Sequence, residues 1–191
     1  MSARIAAVVV LLTVIGCAEA KPTYPARVLI VRHAEKPDDE NVRDLSAAGK
    51  KRADAFPDLF IKSDKRPEPF PTPDFIFATS ASKRSDRPVE TVTPLAKKLK
   101  LDIDSRYAND EYPKLAAELL SNPKYEGKTV LICWHHGKIV DLAGALKADD
   151  VPDQWKDGVF DRVWVVTYDQ GKGKGKLTKR PQLLLPGDAD K

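Results

Sequence analysis

A chain of 191 residues with 42% hydrophobic and 31% charged side chains carries enough apolar material for one domain with a real core and too much to stay disordered. Its formal net charge of +4 is small and spread along the chain. No basic stripe with interleaved aromatics stands out, so a nucleic-acid-binding surface is not expected.

Residues 1–20 have the pattern of an export leader. Arg4 supplies the positive start, Ile5 to Ile15 an apolar stretch, and Ala18-Glu19-Ala20 a small-residue cleavage site. The apolar run is too short and wrongly flanked for a spanning helix. A second reading is open: Val14-Ile15-Gly16-Cys17 resembles a bacterial lipobox, in which residues 1–16 are removed and Cys17 is lipidated. Either reading places the folded part, residues 21–191, outside the cytoplasm: periplasmic, extracellular or lipid-anchored. Membrane contact is then expected only through a lipid on Cys17. The chain has two cysteines, Cys17 and Cys133, so loss or lipidation of Cys17 leaves no intramolecular disulfide. Cys133 sits in the apolar run Val130-Leu131-Ile132-Cys133 and reads as a buried, inert thiol.

Beyond the leader, short apolar runs alternate with helical patterns. Arg27 to Val31 reads as a strand buried on both faces. A helix is predicted from Ser46, its N-cap, to about Phe60, with Pro57 near its end. Residues 62–74 hold four prolines and read as an extended surface loop. Phe75 to Ala78 is the second strand, Thr79 to Asp86 a polar turn, and Pro88 opens a helix running through Val92, Leu95, Ala96 and Leu99. Leu101 to Ile103 is a third short strand, Tyr112 to Leu120 a helix, Lys128 to Trp134 a fourth strand and Ile139 to Leu146 the helix after it. Arg162 to Tyr168 is a fifth strand. Gly171 to Lys176 reads as a mobile loop and Leu177 to Leu185 as an edge strand, since Pro181 argues against a central one. Trp134 and Trp164 fall in strands and are expected in the core.

This alternation predicts a single-domain three-layer α/β/α sandwich with a mostly parallel central sheet. In such sheets ligands bind beyond the carboxyl ends of the strands. All three histidines fall there: His33 after the first strand, His135 and His136 after the fourth. The turn after the second strand adds Lys83, Arg84 and Arg87. Guanidinium matches phosphate oxygens with a planar fork, neutral imidazole is a nucleophile, and imidazolium donates to developing negative charge. Together these groups suffice in principle for phosphoryl transfer without a metal. A zinc site is the chemical rival, but no His-x-x-x-His or Cys-x-x-Cys spacing is present, and adjacent His135 and His136 point to opposite faces if the strand continues through them.

Val31-Arg32-His33-Ala34-Glu35 resembles the Arg-His-Gly/Ala-Glu signature of the histidine phosphatase (phosphoglycerate mutase-like) superfamily. Arg87 to Thr91 is similar to that superfamily's Arg-x-x-x-Thr element, and Val130 to Gly137 to the strand delivering its second histidine. The resemblance implies that His33 becomes the phosphohistidine, that Arg32 and Arg87 bind phosphoryl oxygens, and that His136 is a further donor. Gly137 after His136 implies the branch whose general acid follows the third strand, where Asp110 and Glu111 lie; Asp110 is the choice, Glu111, Glu35 or no acid at all the alternatives. Glu35 reads as orienting the site, Lys83 and Arg84 as solvated, and His135 alone as a structural hydrogen-bonder. The implied activity is hydrolysis of a small phosphorylated substrate, with no cofactor. A mutase-like phosphotransferase and a non-catalytic phospho-ligand-binding domain are the rivals. Substrate identity and oligomeric state are not encoded legibly.

Overall fold

The computed structural model describes residues 23–39, 41–169 and 173–189. The leader, with Cys17 and both export readings, lies outside the described residues. Among the described residues there are six strands: β1 (Arg27–Arg32), β2 (Phe75–Ala78), β3 (Ile103–Asp104), β4 (Thr129–Trp134), β5 (Arg162–Tyr168) and β6 (Gly175–Pro181). The α-helices among these residues are α1 (Ala47–Ala55), α2 (Arg87–Leu99), α3 (Tyr112–Ser121) and α4 (His136–Ala145). The sheet order is β3-β2-β4-β1-β5-β6. β1, β2, β3 and β4 run parallel, β5 pairs antiparallel with β1, and β6 antiparallel with β5. This is the expected mostly parallel sandwich.

The layers follow from the period of two along each strand. Val28 and Ile30 of β1 face one way with Val130 and Ile132 of β4, packing on Leu115 and Leu119 of α3 and Ile139 and Leu142 of α4. Leu29 and Val31 face the other way with Leu131 and Cys133, packing on Val92, Leu95 and Ala96 of α2 and on Phe56 and Leu59. Trp134 and Trp164 are buried in the first of these cores, as expected. Cys133 is buried too, and burial pushes its thiol well above the usual range.

Boundaries shift for local reasons. The helix expected over Ser46 to Phe60 is α-helical only to Ala55 and tightens into a 3-10 turn over Phe56–Phe60, because Pro57 lacks the N–H that an α-helical bond needs. Ser46 is the cap: its hydroxyl accepts from the Gly49 N–H at 3.0 Å. β6 starts at Gly175, earlier than expected, so Gly175 and Lys176 of the Gly-Lys segment belong to a strand; residues 170–172 lie outside the described residues. Helix α4 begins at His136, not Ile139, so the fourth strand does not continue through the histidine pair. No helix among the described residues is long and apolar enough to cross a membrane.

Candidate active site

The carboxyl ends of β1 and β4 lie side by side, with Arg32 in register with Trp134. The ladder runs one step further: the His33 N–H donates to the Trp134 carbonyl at 3.1 Å. His33 therefore leaves the sheet at the level where His135 leaves the neighbouring strand, and their rings meet edge to face with centroids 5.2 Å apart.

Three contacts hold the His33 turn. The Ala34 N–H donates to Thr91 Oγ1 at 2.9 Å, and the Thr91 hydroxyl donates to the Arg87 carbonyl at 2.7 Å. Thr91, four residues beyond Arg87 on α2, thus ties the His33 segment to the helix end that carries Arg87. This gives the Arg-x-x-x-Thr spacing a physical meaning. Glu35 accepts from Arg52 Nη2 at 2.7 Å. Its backbone oxygen lies so close to α1 that a Cβ on Gly49 would sit 2.3 Å from it.

His33 is only 3% exposed. Its Nδ1 lies 2.7 Å from the Ala34 carbonyl, an acceptor, so Nδ1 carries the proton and Nε2 keeps its lone pair. Burial, opposed by that backbone bond and aided by His135, Arg32 and Arg87, lowers the imidazole pKa to about 3. His33 is a neutral imidazole with a defined tautomer at any ordinary pH. His135 is brought down to about 4 by burial and by Arg87, His136 and Arg32.

Arg32 is buried, with burial lowering its pKa to about 10, and it stays charged. Nη1 donates to the Asp157 carbonyl and, at 3.4 Å, to the Val159 carbonyl, while the guanidinium stacks 4.0 Å from the Phe160 ring centroid. No carboxylate forms an ion pair with it among the described residues. Arg87 is half-buried and donates to the Val42 carbonyl at 2.8 Å. Arg32 Nε, Arg87 Nε and Thr79 Oγ1 are buried without a hydrogen-bond partner. Buried donors of this kind cost free energy unless an acceptor meets them, and buried cations cost more. His136, at the N-terminus of α4, has Nε2 3.0 Å from Asp157 Oδ1. Burial foremost, and then Arg32, hold it below its usual range, Asp157 acting in the opposite sense.

No protein-family model and no curated protein sequence matches this chain. Solved structures do match. The mycobacterial glucosyl-3-phosphoglycerate phosphatase superposes with a TM-score of 0.56 at 13% identity, over 82% of this chain and 97% of that one. Its complex with inorganic phosphate gives 0.53 at 14% identity, over 80% and 95%. Phosphoglycerate mutase from Bacillus anthracis gives 0.53 at 13% identity, over 82% and 92%. The fold is phosphoglycerate mutase-like. Identities this low speak to the fold alone.

On this phosphoglycerate mutase-like frame, the expected residues fall into two groups. His33, Arg32, Arg87 and His136 come together at the rim of β1 and β4, near enough for their charges to perturb one another. The candidate acids lie apart. Asp110 follows β3 with its side chain 80% exposed, 3.5 Å from Lys138 Nζ of α4. Glu111 pairs with Lys114 at 2.6 Å and accepts from the Ala108 N–H, and Glu35 faces Arg52. Lys83 and Arg84 are exposed.

Three neighbours were not anticipated. His135, expected as a structural hydrogen-bonder, has no hydrogen bond to its ring among the described residues and packs on His33 instead. Asp157 and Phe160 precede β5. Because β5 is antiparallel to β1, its amino end lies at the same edge as the carboxyl ends of the parallel strands. A reading confined to strand carboxyl ends passes over them.

Proposed function

We propose that the protein is an exported phosphomonoesterase of the histidine phosphatase superfamily that works through a phosphohistidine on His33. The observation that carries this reading is the pairing of a neutral, tautomer-fixed imidazole with two guanidiniums whose buried Nε donors lack acceptors. A phosphoryl dianion supplies the missing acceptors and the missing charge together. The resemblance of the fold to enzymes named as phosphatases and mutases is consistent with the same chemistry.

In the proposed reaction, Arg32, Arg87 and His136 hold the non-bridging oxygens. His33 Nε2 attacks phosphorus, the ester P–O bond breaks, and the leaving alkoxide takes a proton from Asp110, whose exposed side chain must first leave Lys138 and turn toward the site. Water then breaks the P–N bond and releases inorganic phosphate. For Arg32 to reach a phosphoryl oxygen, its Nη1 exchanges the Asp157 and Val159 carbonyls for the substrate, a modest rearrangement of residues 157–159. Export rests on the leader pattern in residues 1–20, and lipid anchoring on Cys17 is its variant. Release of phosphate from esters outside the cell suits that location better than a mutase step does.

The test uses the mature protein and its His33→Ala variant, assayed for aryl phosphate hydrolysis with a chelator present. Turnover by the wild type and its loss in the variant are expected. Tight phosphate-ester binding by both proteins, with no turnover by either on any ester class, would instead identify a binding domain.

A further inference from the structure

Two donors of the rim are already taken by the chain itself. Arg32 Nη1 donates to the carbonyl oxygens of Asp157 and Val159, and His136 Nε2 lies 3.0 Å from Asp157 Oδ1. Asp157 thus engages two of the groups that the proposed reaction assigns to the non-bridging oxygens. We propose that residues 157–160 form an autoinhibitory strap, in which Asp157 holds the donors that a phosphoryl group needs and is displaced by it. The inference rests on the reading of this rim as a phosphoryl site and adds what controls access to it.

The strap is fixed at one end and loose at the other. Phe160 lies over the site from the β5 side, its ring centroid 4.0 Å from the Arg32 guanidinium carbon and 6.1 Å from that of His33. The Val159 carbonyl also accepts from Trp155 Nε1 at 2.8 Å, and Trp155 is buried against Trp164 with ring centroids 5.0 Å apart. Asp157 has no such anchor. Among the described residues its hydrogen bonds run to Arg32 and His136 alone. Its side chain is 94% exposed, and a Cβ on neighbouring Gly158 would meet nothing within 4 Å. The turn at Asp157 and Gly158 can therefore lift about the Trp155–Val159 anchor without disturbing the core.

The two occupants are unequal. Asp157 offers Arg32 a neutral carbonyl and His136 one carboxylate oxygen. A phosphoryl dianion brings more charge and three strong acceptor oxygens. It also meets the buried Nε donors of Arg32 and Arg87, which have no partner while the strap is closed. Burial lowers the pKa of both Arg32 and His136, and Asp157 is the carboxylate that opposes this most at each. Phosphate therefore displaces the strap, with an apparent affinity reduced by the fraction of molecules in which the strap is open. Product phosphate meets the same competition, so closure of the strap favours its release.

The experiment titrates inorganic phosphate calorimetrically into the mature wild type, Asp157→Asn, Asp157→Ala and Asp153→Asn. The last removes the same charge from an exposed position on the same segment that makes no contact with Arg32 or His136. Both Asp157 variants are expected to bind phosphate about tenfold or more tightly than wild type, with Asp153→Asn close to wild type. KM for an aryl phosphate should fall with the phosphate Kd while kcat is maintained. Unchanged or weaker phosphate binding in the Asp157 variants overturns the strap, and a fall in kcat alone would make Asp157 a residue that orients His136 instead. An equal gain in Asp153→Asn would also overturn it, since charge and not contact would then govern affinity. Phosphate binding by none of the four proteins overturns the phosphoryl-site reading itself, which is a separate outcome.

Discussion

At the scale of the residue, the unusual quantity is how little the site's imidazoles want a proton. His33 and His135 are lowered to about 3 and about 4. In the unfolded chain both titrate near 6.5. Between pH 6.5 and about 3 the unfolded state therefore binds more protons, and stability falls as pH drops through that window. Their combined cost is on the order of a few kcal/mol by pH 4. Urea unfolding at pH 7 and pH 4.5 should show this loss, and His33→Gln should remove the His33 share of it. The same depression keeps the nucleophile unprotonated in acid, so protonation of His33 should not limit kcat/KM above pH 4. Asp110 makes a different prediction. If it protonates the leaving group, Asp110→Asn should slow alkyl phosphate hydrolysis by about 10²-fold or more and aryl phosphates far less, since phenolates leave without help. Equal effects on both ester types would remove it from that role.

At the scale of the element, a buried ion cluster joins the His33 segment to the end of the chain. Arg52 of α1 donates to Glu35 Oε1 through Nε and Nη2, and to Asp188 at 2.8 and 2.9 Å; it also reaches Gln182 at 3.2 Å. The Asp188 side chain is 4% exposed and that of Arg52 6%. Arg52→Met keeps the volume but leaves two carboxylates unpaired, which costs roughly 3–5 kcal/mol. Denaturant titration should show a loss of that size, while Arg106→Met, which removes an exposed pair with Glu118, should cost about 1 kcal/mol or less. A loss at Arg52 no larger than at Arg106 would contradict the cluster's role. This cluster was illegible in the sequence: Arg52 and Asp188 are 136 positions apart, and nothing in a helical pattern marks one arginine as the buried one.

At the scale of the whole molecule, most of the fold was legible because the strands β1, β2, β4 and β5 are continuous apolar runs and helices α2 and α3 carry a clear apolar face. What sequence reasoning blurred were the ends. Pro57 tightened a helix, β3 proved only two residues long, and α4 began at the second histidine of the pair. The site divided the same way. His33 was visible because it directly follows β1, His136 because it stands two residues beyond the apolar run of β4, and Arg87 because Thr91 stands one helical turn beyond it. Asp157 and Phe160 were not, because they arrive from the amino end of the antiparallel strand β5, and His135 was not, because its value lies in a contact with β1. These pieces converge on one claim, that His33 Nε2 forms a covalent bond to phosphorus. The direct test is to incubate the mature protein with a phosphomonoester, quench in base, and map any phosphate by tandem mass spectrometry. Stoichiometric, acid-labile phosphate on His33, absent from His33→Gln, is the predicted result; ester hydrolysis with no phosphate on His33 at any quench time would contradict it.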